Sequence, residues 1–449
     1  MVLKGDFGCR LPPELINITI SFCSPKTRLA CSLVCRSWLP ICRSHSFGGG
    51  QYIQIEKPIA CKALLSFLTS EIGCSIIGHT SAVHFLIEQG PLDVDQEILE
   101  VREDINTNSW REHLRNATLY TENIRSLLPL LTEKAMTLSS LSIRTEMRDS
   151  MISSCPAADI FSPQFNIVSS LMNTFSNIIN LTFHTSCEYV HEVIQFICSF
   201  PNLEALSTHS SCLNPHRRSQ PPQSPDRLPE TLRSLDLSTK VSPWGPTDQI
   251  WMQWFATHPS LPKLDSLSVS CWRFEGDDLT TMLALCNNAT LRALNINYRV
   301  EGNPLTMGGD LDLELLALEA FNLSELPSLR TLQITYGTFN TLGLAAVIHF
   351  FRHALATIRD TSPEFQSLEF HTGALPGDFS DDHDLVKDAW DHLDRTISDL
   401  PMKPRVCFYI SGPGGDNDEE AQRHFVRFNA MFPRCFKQGR LVIRFNLVF

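Results

Sequence analysis

Apolar residues near the start of the chain recur at helical spacing. Leu15, Ile18 and Phe22 fall on one side of a predicted helix, whereas Ile16 and Ile20 fall on another. Two consecutive prolines precede this pattern, and proline fits the first turn of a helix because its missing N–H would be unpaired there. The sequence therefore predicts a short helix that is apolar on more than one side.

A second helical pattern follows Ser24-Pro25. Its apolar residues, in the pairs Leu29–Leu33 and Ala30–Val34, again occupy more than one side, and Trp38 follows. A unit of about 40 residues is near the size at which a chain struggles to bury enough surface alone. We therefore expect some of these side chains to be covered by the rest of the chain or by a partner.

From residue 138 onward, a short motif recurs in which one apolar residue is followed by two more, three and five positions later. The copies are Leu138-Leu141-Ile143, Ile178-Leu181-Phe183, Leu203-Leu206 with Thr208 in the last slot, Leu232-Leu235-Leu237, Leu264-Leu267-Val269, Leu291-Leu294-Ile296, Leu329-Leu332-Ile334 and Phe365-Leu368-Phe370. A strand and helix of this size cannot bury their own apolar faces, but stacked copies share one core. The pattern predicts an irregular solenoid with a parallel sheet; the alternative is a plain α/β domain whose strands follow leucine-rich turns.

The remaining segments complete a three-part organisation: residues 6–47, a mixed connecting region at 48–137 that begins the solenoid, and the repeat region at 138–449. Predicted helices are Ala60–Leu68, Gln249–Thr257, Leu279–Cys286 and Leu342–Ile358, and predicted strands are Ile76-Ile77, Val406–Ile410 and Leu441–Phe445. Leu92–Asn116 is rich in acidic residues and is interpreted as a solvated helix or an insertion. Asn214–Arg227 is proline-rich and polar, which predicts an exposed loop.

Composition narrows the class of protein. The net charge is 37 − 49 = −12, which disfavours a nucleic-acid or anionic-membrane partner. No run of 18 apolar residues is present to span a bilayer. Fifteen cysteines are scattered through a chain that lacks a recognisable signal peptide, so we expect a reduced protein of the cytoplasm and/or nucleus.

No pattern for catalysis or for a cofactor stands out. Cys31 and Cys35 lie one helical turn apart, but no second Cys or His pair completes a zinc site, so buried apolar roles are favoured. Asp381–Asp384 matches no defined cation loop, and Gly412–Gly415 lacks the Lys-Ser/Thr of a phosphate loop. We expect no enzymatic activity, no cofactor and no metal.

The N-terminal pattern resembles an F-box. The similar residues are Leu11-Pro12-x-Glu14-Leu15-Ile16 and, at the usual distance, Leu29 to Trp38 with Val34-Cys35-Arg36-Ser37-Trp38 at its end. The rest of the chain is more loosely similar to the divergent leucine-rich-repeat-like region of F-box proteins abundant in mushroom-forming fungi. The resemblance implies a three-helix F-box followed by an irregular leucine-rich-repeat-like solenoid, an α/β fold.

The F-box resemblance also implies a partner, a Skp-type adaptor that joins the chain to a cullin–RING ubiquitin ligase. The residues expected at that interface are Leu11, Pro12, Ile16, Leu33, Val34 and Cys35. Trp38 is expected mainly to hold the helices together. Asn17 and Thr19 depart from the family pattern, which places apolar or acidic residues there, and this departure predicts weaker docking.

Within this interpretation, the chain is the substrate-recognition subunit of the ligase, and its solenoid binds an unknown target protein. The expected target-facing positions lie between the apolar ones of the strands: Arg233, Asp236, Asp265, Ser268, Arg292, Asn295, Arg330 and Gln333. These positions are equally consistent with a merely solvated sheet face. The alternative function is a non-degradative scaffold that uses the F-box only for complex assembly.

Overall fold

The computed structural model describes residues 12–33, 38–47, 52–55, 58–70, 82–89, 122–131, 139–147, 175, 177–187, 190–212, 228–237, 263–271, 290–298, 323–324, 326–336, 341–358, 361–372, 383–412, 425–426 and 428–447. The chain divides into two compact units. The first comprises Met1–Leu203 and Ser210–Pro229, and the second comprises Glu204–His209 and Glu230–Phe449.

Three short helices open the first unit: α1 (Pro13–Ser21), α2 (Pro25–Ser32) and α3 (Leu39–Phe47). Ile16 and Ile20 of α1 and Cys42 of α3 are fully or nearly fully buried, and they form a small core. Trp38 packs against this core as a partly buried side chain. The two helical patterns predicted from the sequence are thus confirmed, with the Ile16 side of α1 facing inward.

The described strands of the first unit run parallel and in chain order. They are β1 (Tyr52–Ile55), β2 (Ala82–Gln89), β3 (Ser140–Met147) and β4 (Asn180–Cys187). Helices occupy the connections: α4 (Pro58–Leu68), α5 (residues 122–131) and α6 (Val190–Cys198). The sequence predicted α4, β3 and β4, but it did not predict β1 and β2.

The second unit continues the same construction. Its strands are the first part of β5 (Ala205–Cys212), then β6 (Ser234–Leu237), β7 (Ser266–Cys271), β8 (Ala293–Tyr298), β9 (Thr331–Tyr336), β10 (Ser367–Thr372), β11 (Arg405–Gly412) and β12 (Leu441–Leu447). Each pairs in parallel with the next. Its helices with fully described bounds are α7 (Thr341–Ile358), α8 (His383–Ser398) and α9 (Pro433–Lys437), and residues 425–426 and 428–431 are also helical.

The repeated apolar motif explains the register of this sheet. The middle leucines of successive copies are paired across neighbouring strands: Leu235, Leu267, Leu294, Leu332 and Leu368. All are at most 1% exposed. Because side chains alternate along a strand, one face of the sheet becomes a continuous apolar surface. The predicted parallel sheet is confirmed.

Aromatic side chains fill the core next to the last strands. Phe370 of β10 and Phe408 of β11 stack with their ring centroids 4.8 Å apart. Trp390 of α8 meets both rings edge-on, and Phe432 lies 5.2 Å from Trp390. Aromatic rings bury large apolar areas and favour such tilted or offset contacts, so this cluster anchors α8 to the sheet.

A buried carboxylate holds the short helix α9 in place. Asp394 of α8 is fully buried, and its two oxygens accept hydrogen bonds from the backbone N–H groups of Arg434 (2.9 Å) and Cys435 (3.0 Å). These are two of the otherwise unpaired donors of the first turn of α9. Asp394 therefore acts as an N-cap supplied from a different helix.

Other sequence predictions fall on residues outside the described ranges. They are Leu138, the strand at 76–77, the acidic segment at 92–116, the loop at 214–227 and the helices at 249–257 and 279–286. The first two residues of Asp381–Asp384 also lie outside these ranges. No helix among the described residues is long and apolar enough to cross a membrane.

Candidate partner-docking site

Helix α1 presents an apolar face that the described part of the chain leaves exposed. The backbone N–H groups of Leu15 and Ile16 bond to the Pro12 carbonyl at 3.0 and 3.2 Å, which starts the helix without a side-chain cap. Leu15 is 50% exposed, Ile18 is 53% exposed and Phe22, just beyond the helix, is 87% exposed. Large apolar side chains this exposed, arranged contiguously, mark interaction sites in soluble proteins.

Helix α2 adds a further apolar side chain at its end. Ser24 caps its start by accepting a hydrogen bond from Thr27 N–H at 3.2 Å, and Pro25 occupies the first helical position. Leu33 caps the C-terminal end of the helix just after Ser32, and it is 83% exposed. We call Leu15, Ile18, Phe22 and Leu33 the exposed apolar set.

Arg28 ties the three helices together. Its Nε donates to the Ile20 carbonyl (3.2 Å) and its Nη2 donates to the Ser21 carbonyl (2.9 Å), both at the end of α1. Its Nη1 donates to the carbonyl of His45, in the last turn of α3, at 2.6 Å. A cation is favourable where helix carbonyls are unpaired, so one side chain of α2 fixes the ends of α1 and α3. We call these three bonds the Arg28 clamp.

The two polar residues that depart from the family pattern both have partners. His45 Nε2 donates to Asn17 Oδ1 at 2.7 Å, which links α3 to α1. The Thr19 hydroxyl donates to the Leu15 carbonyl one turn earlier, at 2.8 Å. Asn17 therefore contributes to the packing of the helices, which offers a structural reason for its presence.

The residues predicted at the adaptor interface divide into three groups. Pro12 and Leu33 are exposed, as docking requires. Ile16 is only 4% exposed and belongs to the core of the helices, so its side chain is not available on the surface of the free chain. Leu11, Val34 and Cys35 lie outside the described residues.

Sequence reasoning missed four residues of this site. Leu15, Ile18 and Phe22 were recognised as one helix side but were not assigned to the interface, although their separation from Ile16 and Ile20 was the available signal. Arg28 gave no signal at all, because its three partners are backbone carbonyls that only the folded structure brings together.

The polar face of the second unit's sheet is a second candidate surface. Asp236, Ser268, Asn295 and Gln333 are paired in register across β6–β9. Two direct hydrogen bonds run along this row, from the Ser207 hydroxyl to Asp236 Oδ2 and from Asn295 Nδ2 to the Ser268 hydroxyl, both 3.1 Å. These four predicted target-facing residues therefore share one face, opposite the leucines.

The other four predicted residues do not lie within the strands. Arg233, Asp265, Arg292 and Arg330 each come just before a strand, and their backbones bond in series; Asp265 N–H, for example, donates to the Arg233 carbonyl at 2.7 Å. They form a charged border along the edge where the strands begin. Arg330 is engaged with Glu364, to which its Nε donates at 2.8 Å.

The polar face becomes aromatic towards the last strands. His371 of β10 stacks on Tyr409 of β11 with ring centroids 4.4 Å apart, and the guanidinium of Arg444 lies 5.7 Å from the Tyr409 ring centroid. Burial lowers the pKa of His371, and the Glu369 carboxylate, 3.8 Å away, opposes this effect only in part.

Among the residues that the structure describes, no group of three or more His, Cys, Asp or Glu side chains is placed so that it could hold a metal ion. Cys31 packs against the core of the N-terminal helices. Cys35, its potential partner in the sequence, lies outside the described ranges, as do residues 413–415.

Comparison with known proteins agrees with the geometry of the N-terminal helices. Residues 9–48 match the F-box domain. The matched segment contains all three helices, the exposed apolar set and the Arg28 clamp. No curated protein matches the chain. The chain thus carries an N-terminal F-box domain ahead of a region of helices and parallel strands.

Proposed function

We propose that this protein is the substrate-recognition subunit of an SCF-type cullin–RING ubiquitin ligase, and that its F-box docks on a Skp-type adaptor. The observation that carries the proposal is the exposed apolar set within residues 9–48, the segment that matches the F-box domain. Keeping Phe22 and Leu33 in water is unfavourable, and a partner that covers them removes this cost.

The exposed apolar set is large enough to contribute most of the binding energy. A specific interface buries on the order of 1,600 Å², and a few well-buried side chains dominate its energy. At about 25 cal/mol per Å² of apolar surface, covering a side chain such as Phe22 contributes about 2 kcal/mol before the costs of association. The Arg28 clamp supports this role because it holds α1 and α2 in a fixed arrangement before the partner arrives.

We further propose that the repeats form an irregular leucine-rich-repeat-like solenoid whose polar sheet face binds the target protein. The support is the in-register row of Asp236, Ser268, Asn295 and Gln333, together with the charged border that begins at Arg233. Repeat architectures present extended surfaces of this kind for binding. The loose similarity of this region to the leucine-rich-repeat-like region of fungal F-box proteins, described above, is consistent with this proposal.

The mechanism we propose requires no catalytic residue in this chain. The F-box tethers the protein to the ligase and the sheet face holds the target, so target lysines are at high local concentration near a charged conjugating enzyme. The protein would act in the cytoplasm and/or nucleus.

Co-elution with a purified Skp-type adaptor tests the docking step. The parent chain is compared with a Phe22→Asp, Leu33→Asp double variant, whose two positions are more than 80% exposed and so leave the fold intact. Ser44→Asp is the matched control, since Ser44 is an exposed polar residue on α3 of the same domain. Binding by the parent and control, and its loss in the double variant, is the expected result. A folded parent that does not bind would remove the ligase proposal.

A non-degradative scaffold is the alternative function. It also predicts adaptor binding, so co-elution does not separate the two. The separating measurement is the lifetime of a captured target with and without this protein in cells. A target that disappears faster when the protein is present supports the ligase function, whereas an unchanged lifetime with intact binding supports the scaffold.

A further inference from the structure

Ser24 lies in the turn between α1 and α2 with its side chain exposed. Its backbone is extended (φ −62°, ψ 157°), the conformation that a following proline imposes. Pro25 follows directly, and the exposed cation of Lys26 comes next. A serine followed directly by proline is the sequence that a proline-directed protein kinase modifies, and the Ser24 hydroxyl is exposed.

A second cationic side chain, that of Arg28, belongs to the same helix, α2. Arg28 lies one helical turn after Ser24, and its backbone N–H donates to the Ser24 carbonyl at 2.9 Å. Its guanidinium reaches back to the carbonyl of Ser21, three residues before Ser24. The residue whose guanidinium joins α1, α2 and α3 therefore lies one helical turn from the residue that carries the exposed hydroxyl.

We propose that Ser24 is a phosphorylation site, and that phosphoserine at this position draws Arg28 away from its carbonyl partners and so weakens docking of the adaptor. The regulatory part rests on the proposed function, because it needs the F-box to dock. The part that concerns Ser24 and Arg28 stands on the geometry of the turn alone.

The covalent step is an ordinary phosphoryl transfer from ATP. Ser24 Oγ attacks the γ-phosphorus, the new Oγ–P bond forms, and the bond from the γ-phosphorus to the β,γ-bridging oxygen breaks. ADP leaves with the electron pair of that bond. The hydroxyl proton passes to the base of the kinase and then to solvent.

Charge decides where Arg28 binds after this step. Its present acceptors, the carbonyls of Ile20, Ser21 and His45, are neutral. A phosphate carries close to two negative charges at neutral pH and binds guanidinium in a bidentate manner, and bonds between two charged groups are stronger than those to neutral carbonyls. Thr27 N–H, which already donates to Ser24 Oγ, can continue to donate to the modified group. The phosphate therefore competes effectively for the guanidinium, and the ends of α1 and α3 lose their connection.

The experiment uses the full-length chain, a purified proline-directed kinase, ATP and a purified Skp-type adaptor. Mass spectrometry measures phosphate at Ser24, and Ser24→Asn is the unmodifiable control because Asn also caps a helix. We expect phosphate on Ser24 in the parent, about tenfold weaker adaptor binding, and faster hydrogen exchange in α1 and α3 of the phosphorylated chain.

Arg28→Gln tests the route of the effect. In this variant, phosphorylation is expected to leave adaptor affinity unchanged, because the guanidinium for which the phosphate competes is gone. Failure to label Ser24, unchanged exchange in α1 and α3 after labelling, or an equal loss of affinity in Arg28→Gln would overturn the proposal.

If the unphosphorylated parent does not bind the adaptor, the proposed function fails, while the labelling and exchange measurements still decide whether phosphoserine releases Arg28. The exchange measurement on the parent also decides the point if Arg28→Gln does not fold.

Discussion

Arg28 donates from Nη1 to the carbonyl oxygen of His45 across 2.6 Å, although the two residues are 17 positions apart and belong to different helices. The same guanidinium also bonds to two carbonyls of α1. A single side chain therefore fixes the mutual arrangement of the helices that carry the exposed apolar set.

Removing this cation is expected to loosen the N-terminal helices. Arg28→Gln forfeits three hydrogen bonds from a charged donor, with an expected cost of about 3 kcal/mol. Arg28→Lys keeps the positive charge but loses the forked geometry of the guanidinium, so its stability should lie between those of Arg28→Gln and the parent. Hydrogen exchange in α1 and α3 measures the effect. Lys26→Gln, at an exposed position on the same turn, is the control; equal exchange in Arg28→Gln and Lys26→Gln would contradict the clamp.

Asp394 should be the most sensitive acidic residue of α8. Asp394→Ala leaves the partly buried N–H of Arg434 and the buried N–H of Cys435 without these acceptors, with an expected loss of about 3 kcal/mol in the free energy of unfolding. Asp388→Ala, at an exposed position of the same helix, should change it by less than about 0.5 kcal/mol. Urea unfolding of both variants provides the comparison, and similar midpoints would show that α9 does not depend on this carboxylate.

Gly439, two residues after the end of α9, adopts a left-handed conformation with φ at 66°. Gly439 N–H bonds to the Phe436 carbonyl (2.9 Å) and Arg440 N–H to the Cys435 carbonyl (3.0 Å), the paired bonds of a Schellman motif. Gly439→Ala is expected to lower the free energy of unfolding by about 1 kcal/mol, because alanine is disfavoured in the left-handed conformation. Steric contact adds nothing to this cost, since an added Cβ would meet no atom within 4 Å.

Asparagine offers a matched control at this position because it tolerates the left-handed region better than alanine. Gly439→Asn should therefore be more stable than Gly439→Ala in thermal unfolding. A glycine-to-alanine change without any loss of stability would mean that the motif does not persist in solution.

His371 should make stability depend on pH. Because burial lowers its pKa below the ordinary value of 6.5, the unfolded chain takes up a proton at this residue at higher pH than the folded chain does. The contribution of His371 to stability is thus fully present above about pH 6.5 and is lost as the pH falls towards the lower pKa of the folded state. Urea midpoints at about pH 7.5 and 5.5 should differ more in the parent than in His371→Gln. An equal difference in both would show that His371 titrates normally.

The sequence predicted the strands where the apolar motif repeats without interruption, since side-chain alternation and leucine spacing are local properties. It missed β1 and β2, in which no leucine-introduced copy of the motif occurs. The structural roles of Asp394 and Arg28 could not be predicted either, because both side chains bond to backbone groups distant in the sequence. The partners of Asp394 lie at least 40 positions away, and one partner of Arg28 lies 17 positions away. The burial of Ile16 could not be predicted either, because it results from the packing of three helices. The helical spacing of the apolar residues showed only that Ile16 and Leu15 lie on different sides of α1.

Docking through the exposed apolar set is tested by the affinity of the Skp-type adaptor for single alanine variants of its four residues. Leu15→Ala, Ile18→Ala, Phe22→Ala and Leu33→Ala are compared with the parent and with Ser44→Ala by calorimetric titration. We predict that at least two of the four weaken binding by about tenfold or more, as truncation of central interface residues does, while Ser44→Ala binds like the parent. Parent-like affinity in all four variants would contradict docking through the exposed apolar set.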